Sequence, residues 1–228
     1  MIMGCLKLAN YKVLSFDKIS STQTYAHEMI ERGEARDHTA IMALAQFAGH
    51  GRYRRPWVSH HGNLYVSFIF EAEHRDPRLA YAVAVAIVDT LLSFGISSEI
   101  KWPNDILIEG KKVAGVLIEY SGRFVIVGIG INVKSNPTVS EYETTKLEKY
   151  AKVDLTDLGQ RLAKNLDKWM SCDFEMVREA WTIAATGLNQ MVKYRGKMVE
   201  LIGINDNGAL VVRDNGEYHL IHGDEILM

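Results

Sequence analysis

The chain has 228 residues, of which 47% are hydrophobic and 24% charged, and its formal net charge is −2. That length accommodates one full-sized domain with an ample core plus a small second one, and the composition is that of an ordinary soluble globular protein. A balance this close to neutral excludes a general nucleic-acid binder, which would be basic overall.

The opening MIMGCLKLAN has no charged start ahead of a long apolar run, so no signal peptide is expected. Cys5 and Cys172 are the only cysteines. Far apart and without metal-ligand spacing, they predict a reducing cytoplasm and no disulfide framework. Residues 11–16 read as a short strand. Ser20 stands three residues before Gln23, the spacing of a capping box, and starts a helix to about Arg32 with Ala26, Met29 and Ile30 as its apolar stripe and Gly33 as its stop. Residues 39–46 are a buried strand. It delivers the stretch QFAGHGRYRRPWVSHHGNLYVS, around which the rest is organised. Residues 63–71 then alternate: Leu64, Val66, Phe68 and Phe70 face one way, Tyr65, Ser67 and Ile69 the other. Asp76-Pro77 introduces a mostly buried helix to Phe94, ended by Gly95. Its apolar segment, 79–92, is interrupted by Asp89 and is too short to cross a bilayer. Strands are predicted at 98–102, 106–109, 113–119 and 124–133, with tight turns at 109–112 and 120–123. Residues 136–150 read as a polar loop, and 154–170 and 173–185 as helices. From Gly187 onward the pattern changes to short strands at 191–194, 198–204, 209–213 and 217–222, separated by Arg-Gly and Asn-Gly turn signals, which predicts a small β-barrel or sandwich.

Three stretches carry candidate chemistry. In the first, Gly49 and Gly51 allow backbone N–H groups to approach an anion closely, Arg52, Arg54 and Arg55 supply planar cationic donors, and Trp57 offers a flat face for a ring. The alternative is a solvated arginine surface. In the second, Lys101-Trp102-Pro103-Asn104-Asp105, a lysine at a strand end is held by a proline turn, where it can neutralise a carboxylate and a phosphate together; equally, Pro-Asn-Asp turns are common and their lysines solvated. The third, Gly128-Ile129-Gly130-Ile131-Asn132, reads as a bulge or close packing, with Asn132 placed to bond or lie against a base. Gly115 interrupts a buried strand, marking a close approach by a ligand or a bulky neighbour. Methionines such as Met3, Met29 and Met42 are expected as core filler. His60-His61 lacks partners at metal-ligand spacing, so no zinc is expected.

Taken in order, these stretches resemble the biotin–protein ligases (biotin–[acetyl-CoA-carboxylase] ligase): a Ser-Thr pair at the first helix, Gln-x-x-Gly-x-Gly-Arg-x-x-Arg-x-Trp-x-Ser, Lys-Trp-Pro-Asn-Asp, Lys-Val-Ala-Gly-Val-Leu-Ile-Glu, and Gly-Ile-Gly-Ile-Asn. The resemblance covers nearly the whole chain and implies an α/β or α+β fold. Residues 1–186 would form a class II synthetase-like catalytic domain, a mixed β-sheet with helices packed on one face and ligands on the other. Residues 187–228 would form a small SH3-like β-barrel. It implies that biotin and Mg-ATP give biotinyl-5′-AMP and pyrophosphate, and that a lysine of the biotin carboxyl carrier protein or domain then takes the biotinyl group. By matching position, Ser21, Thr22, Gln23 and Gln46 would line the biotin pocket. His50, Gly51 and Arg52 would fold over biotin and the adenylate phosphate. Lys101 would hold the biotin carboxylate and α-phosphate, with Arg52 as its catalytic partner, and Gly115 would pass its backbone along biotin. Gly49, Arg55, Trp57, Asn104 and Asn132 would meet ATP or the adenylate, Trp57 and Asn132 at the adenine. Mg2+ would arrive with ATP, with no protein metal site.

Departures from the family pattern are His50, where many relatives have arginine, Tyr53-Arg54 in place of an Arg-Gly pair, and Gln23, where asparagine is frequent. The pattern starts by Tyr11, so no helix-turn-helix domain and no DNA binding are expected, nor any membrane partner. A cytoplasmic homodimer is the expected assembly. The rival enzyme reading is a lipoate–protein ligase with the same fold and adenylate chemistry. A non-catalytic RNA-binding module is a rival of another class, disfavoured by the net charge and by the absence of an aromatic-rich basic platform in the barrel segment.

Overall fold

Alternating apolar residues build the scaffold. The computed structural model describes residue 8 and residues 10–222; the expectations for Met3, Cys5 and the first residues lie outside the described residues. Seven strands, β1 (Lys12–Ile19), β2 (Thr39–Gln46), β3 (Leu64–Glu71), β4 (Glu99–Lys101), β5 (Asp105–Ile108), β6 (Lys111–Ser121) and β7 (Phe124–Ile131), form one mixed sheet in the order β1-β2-β3-β7-β6-β5-β4. β1 and β2 run parallel, joined through helix α1 (Thr22–Glu31), and the other neighbours are antiparallel. The alternation in β3 is kept. Leu64, Val66, Phe68 and Phe70 enter the main core with Val125, Val127, Ile129 and Ile131 of β7, while Ile69 joins Phe124, Ile126, Ala26 and Met29 in a second cluster. Burial of each large apolar side chain here contributes about 1.5–3 kcal/mol.

Helices α2 (Leu79–Leu92), α3 (Leu155–Met170) and α4 (Phe174–Ala184) belong to the main core. Helix α1 lies on the opposite face, where it walls the groove described below, so the helices are not all on one side. Two helix starts differ from expectation. The cap of α1 is Ser21, whose Oγ accepts from the Thr24 amide at 3.4 Å, while Gln23 turns its side chain toward Glu119 and Ser67 instead of completing a box with Ser20. Asp76 accepts from the Arg78 amide at 2.9 Å in a turn that precedes α2, and the helix proper begins at Leu79. Asn63, expected as the first residue of a strand, instead receives the amides of Val133, Lys134 and Ser135 and clamps the chain leaving β7.

The small C-terminal β-domain is present as a four-stranded antiparallel sheet, β8 (Met191–Tyr194), β9 (Lys197–Ile204), β10 (Leu210–Asp214) and β11 (Glu217–Ile221), in the order β11-β10-β9-β8. Its Val192, Leu201, Leu210 and Val212 belong to the same apolar core as α2 and α4. A polar tie runs the same way: the Tyr81 hydroxyl donates to Gly208 O at 2.8 Å and accepts from Trp102 Nε1 at 3.1 Å. The turn bearing Lys101 is thereby linked to the small sheet. Among the described residues no helix is long and apolar enough to cross a membrane.

Candidate functional site

Strand register assembles the floor of a groove of about 780 Å³. Tyr65 pairs with Gly130, Gly130 with Gly115, Gly115 with Asp105, and Asp105 with Lys101, giving one row across five adjacent strands. The two glycines in that row make room for an aromatic ring. A Cβ on Gly130 would lie 2.6 Å from the Trp57 indole, and one on Gly115 would lie 3.0 Å from it. Trp57 therefore lies directly on bare backbone, and its Nε1, also buried, has no hydrogen-bond partner among the described residues. Burial pushes the Tyr65 hydroxyl up to about 12, keeping it protonated while it donates to His60 O.

The glycine–arginine stretch forms one wall as a narrow backbone ribbon. Its rungs are Gln46 N to Ser59 O at 3.2 Å, Trp57 N to Gly49 O at 2.8 Å, and Gly51 N to Arg55 O at 2.9 Å. The Gly51 amide is thus committed within the ribbon rather than turned toward an anion. Gly49 does not line the groove; a Cβ there would meet Ser59 Oγ at 2.7 Å and Trp57 O at 2.8 Å, so close packing requires the glycine. The positive φ angles of this loop fall on Tyr53 and Arg54, at 54° and 57°. His50, Gly51, Arg52 and Arg55 line the groove, and Arg52 lies over the Tyr53 ring at 5.2 Å. Arg54, at the exposed tip, reaches His50 at 3.3 Å.

A second wall, continuous with the base of that ribbon at Gln46 and Ser59, is a chain of polar side chains anchored on α1. Gln46 Oε1 accepts from the Thr22 amide at 2.8 Å, and Gln46 Nε2 donates to Ser59 Oγ at 2.9 Å. Ser67 Oγ lies 2.9 Å from both Thr22 Oγ1 and Gln23 Oε1, and Gln23 Nε2 donates to Glu119 at 3.0 Å. Gln23 fits because its neighbour in β7 is Gly128, where a Cβ would come within 2.5 Å of Gln23 Oε1. Burial works to raise the Glu119 carboxyl, but hydrogen bonds from Gln23 and His27 outweigh it and hold it below the ordinary carboxylate range.

Lys101, at the end of β4, lines the groove and makes no ion pair among the described residues. A second lysine that the sequence reading left without a role, Lys112, also faces inward. Its ammonium lies 2.6 Å from Asp105 and over the rings of Trp57 and Tyr142 at 5.3 and 5.0 Å. Strict alternation sets Lys112 and Gly115 on opposite faces, being three apart. A bulge shifts the register between Ile106 and Leu107, buries both Val113 and Ala114, and returns Lys112 to the groove. Residues 138–143 of the expected polar loop complete the rim. Asn104 lines the groove while its side chain donates to Val116 O at 2.9 Å, fixing the turn to β6. Asn132 does not reach the groove: it is fully buried, and its Nδ2 donates to Thr145 O at 3.1 Å, anchoring the rim loop from behind.

Ser21, Thr22, Gln23, Gln46, His50, Gly51, Arg52, Arg55, Trp57, Lys101, Asn104 and Gly115 are thus brought together, and Gly49 and Asn132 support them from outside. Chemically, the groove brings together two ammonium groups, two guanidinium groups and a set of neutral hydrogen-bonding groups.

Comparison with known proteins gives a consistent picture. Residues 15–136 match the Biotin/lipoate A/B protein ligase family. The sequence is 34% identical to the bifunctional ligase/repressor BirA of Bacillus subtilis, over 92% of this chain and 72% of that protein. It is 31% identical to the biotin–[acetyl-CoA-carboxylase] ligase of Paracoccus denitrificans, over 82% of this chain and 88% of that one. The structure of the biotin protein ligase from Aquifex aeolicus in complex with biotin and ATP is similar with a TM-score of 0.81 at 26% identity, covering 94% of this chain and 97% of that one.

Proposed function

Since the chain belongs to the biotin/lipoate A/B protein ligase family, we propose that it is a biotin–protein ligase acting in two steps. A carboxylate oxygen of biotin attacks the α-phosphorus of Mg-ATP, the bond to the β-phosphate oxygen breaks, and pyrophosphate leaves. The amine of a carrier-domain lysine then attacks the acyl carbon of biotinyl-5′-AMP; the acyl–oxygen bond breaks, AMP departs and the amine loses a proton. The observation that carries this reading is that one groove gathers the cations Lys101, Lys112 and Arg52, the neutral polar groups Thr22, Gln46 and Ser67, and an indole, Trp57, seated on bare backbone.

The first step brings two anions together. A cation about 4 Å from a charge contributes roughly 4 kcal/mol at an effective dielectric of about 20. To the extent that this is felt in the transition state, it accelerates the step by orders of magnitude. Lys101 is the group assigned to the carboxylate–phosphate junction, with Arg52 from the loop on its other side. Trp57, resting on Gly115 and Gly130, is assigned to the adenine ring. The mixed anhydride is sensitive to water, and the ribbon of residues 46–59 over the groove serves to exclude it. Mg2+ enters as part of the nucleotide substrate. The reading places the enzyme in the cytoplasm, acting on carrier protein and not on DNA, as a homodimer; among the described residues β1 pairs on one side only, with β2, which leaves a sheet edge for such an assembly.

The test is mass spectrometry of purified protein incubated with Mg-ATP and either biotin or lipoate. Formation of biotinyl-5′-AMP supports the reading; formation of lipoyl-AMP alone replaces it with lipoate ligation, and formation of neither removes it.

A further inference from the structure

We propose that Glu119, which does not line the groove, is a positioning residue that sets the hydrogen-bonding sense of Ser67 and so selects ligands presenting N–H donors. The inference rests on the biotin reading of the site, since the two ureido N–H groups of biotin are such donors.

A carboxylate only accepts, so the amide nitrogen of Gln23, not its oxygen, must face Glu119, as the 3.0 Å contact shows. Gln23 Oε1 is thereby turned to Ser67 Oγ at 2.9 Å, and a carbonyl oxygen also only accepts, so Ser67 donates. The 2.9 Å contact with Thr22 Oγ1 likewise has Ser67 as its donor, so the single Ser67 proton goes to one of two acceptors inside the wall. The other neighbour of the Thr22 hydroxyl, Gln46 Oε1 at 3.2 Å, is again an acceptor. Donated to Gln46, the Thr22 proton points into the wall as well. The groove is left with lone pairs on both hydroxyls.

His27 secures the origin of this chain. Its Nε2 lies 3.1 Å from the same Glu119 oxygen that receives Gln23, and must donate to it. Gln23 itself is 3% exposed, lies above Gly128 and spans from the Ser67 hydroxyl to the Glu119 carboxylate. An asparagine, one methylene shorter, would not span both contacts. Glu119→Gln removes the constraint with little change of shape. An amide at 119 can present either its oxygen or its nitrogen, Gln23 can reverse, and its Nε2 then donates to Ser67 Oγ and occupies a lone pair that a ligand N–H would use.

The experiment measures biotin affinity by calorimetry, the KM for Mg-ATP, and the urea midpoint. In Glu119→Gln the Kd for biotin should rise about tenfold, in line with misdirecting one or two hydrogen bonds, while the KM for ATP stays within about twofold. The double variant Gln23→Glu/Glu119→Gln moves the carboxylate one step along the chain. An acceptor-only group then still faces Ser67, and biotin binding should recover relative to Glu119→Gln. Unchanged biotin affinity in Glu119→Gln overturns the proposal. So does equal loss of biotin and ATP binding, which marks a general structural role, and so does a folded double variant that remains as weak as the single one. Failure of the parent protein to bind biotin would instead remove the reading on which the proposal rests.

Discussion

The two walls of the groove are held in opposite ways. The wall on α1 is made of side chains from α1, β2, β3 and β6 bonded to one another, with Ser21, Thr22, Gln23 and Ser67 all buried. The wall formed by residues 46–59 is held by its own backbone rungs and, at its base, by the Phe47 and Ala48 amides bonded to Ile19 O and Ser20 O, and its tip, Tyr53, is 65% exposed with a left-handed backbone. One wall can change only by disturbing several elements at once. The tip of the other makes its contacts within the loop itself. In the proposed reaction the difference separates two tasks, fixed recognition of a neutral ring system and reversible enclosure of a charged junction.

Variants on the cationic side should give the largest effects. Lys101→Ala should slow ATP–pyrophosphate exchange by about 10²–10³-fold, the range for removing one group that stabilises developing charge. A near-normal exchange rate would show that the junction forms elsewhere. Arg52→Gly should let the adenylate escape, so that lysines of bystander proteins become biotinylated about tenfold more than with the parent, a loss of retention comparable to one charged hydrogen bond. Equal labelling by parent and variant would deny the loop its enclosing role.

Smaller effects test the floor and the fixed wall. Gly130→Ala places a Cβ where the Trp57 ring lies at 2.6 Å. It should raise the KM for ATP several-fold and destabilise by about 1–2 kcal/mol through overpacking, read by tryptophan fluorescence and urea unfolding. A variant with parental fluorescence and KM would mean that the ring does not rest there in solution. The smallest expected effect is on acid stability. Hydrogen bonds from Gln23 and His27 overcome burial to lower the Glu119 carboxyl, so its folded pKa lies below its unfolded value of about 4.3. Its contribution is present above that unfolded value and is lost as pH falls through the folded one. Because Glu119 is partly exposed, the contribution should stay under about 1 kcal/mol. Comparing urea midpoints between neutral pH and about pH 3, Glu119→Gln should lose less stability on acidification than the parent. A steeper loss in the variant would contradict the sign.

Much of this was legible along the chain, for reasons of local physics. β2 is readable as a short, nearly continuous apolar run and β3 by its alternation, and Gly33, Gly95 and the Asn-Gly turns mark ends that only a permissive backbone tolerates. Trp57 and Gly115 both appear in recognisable stretches, but that the ring rests on the glycine is a matter of register between strands. Lys112 was missed because a bulge, invisible to periodicity, reverses the side of β6 on which it lies. Ser20 was favoured over Ser21 as the helix cap because Gln23 matches a capping box, whereas its real partners, Ser67 and Glu119, are 44 and 96 residues away.

By itself, then, the sequence determined which segments are strands and helices, where the cations and glycines cluster, and the family resemblance, because propensity, periodicity and turn chemistry act over a few residues. The tertiary structure alone decided which of those groups share a groove. It turned Asn132 and Gly49 into supports, brought Lys112 to face Asp105 and Trp57, and joined α1 to β6 through Gln23. Those outcomes depend on strand register, a single bulge and the direction of hydrogen bonds between residues distant in the chain, which no local pattern encodes.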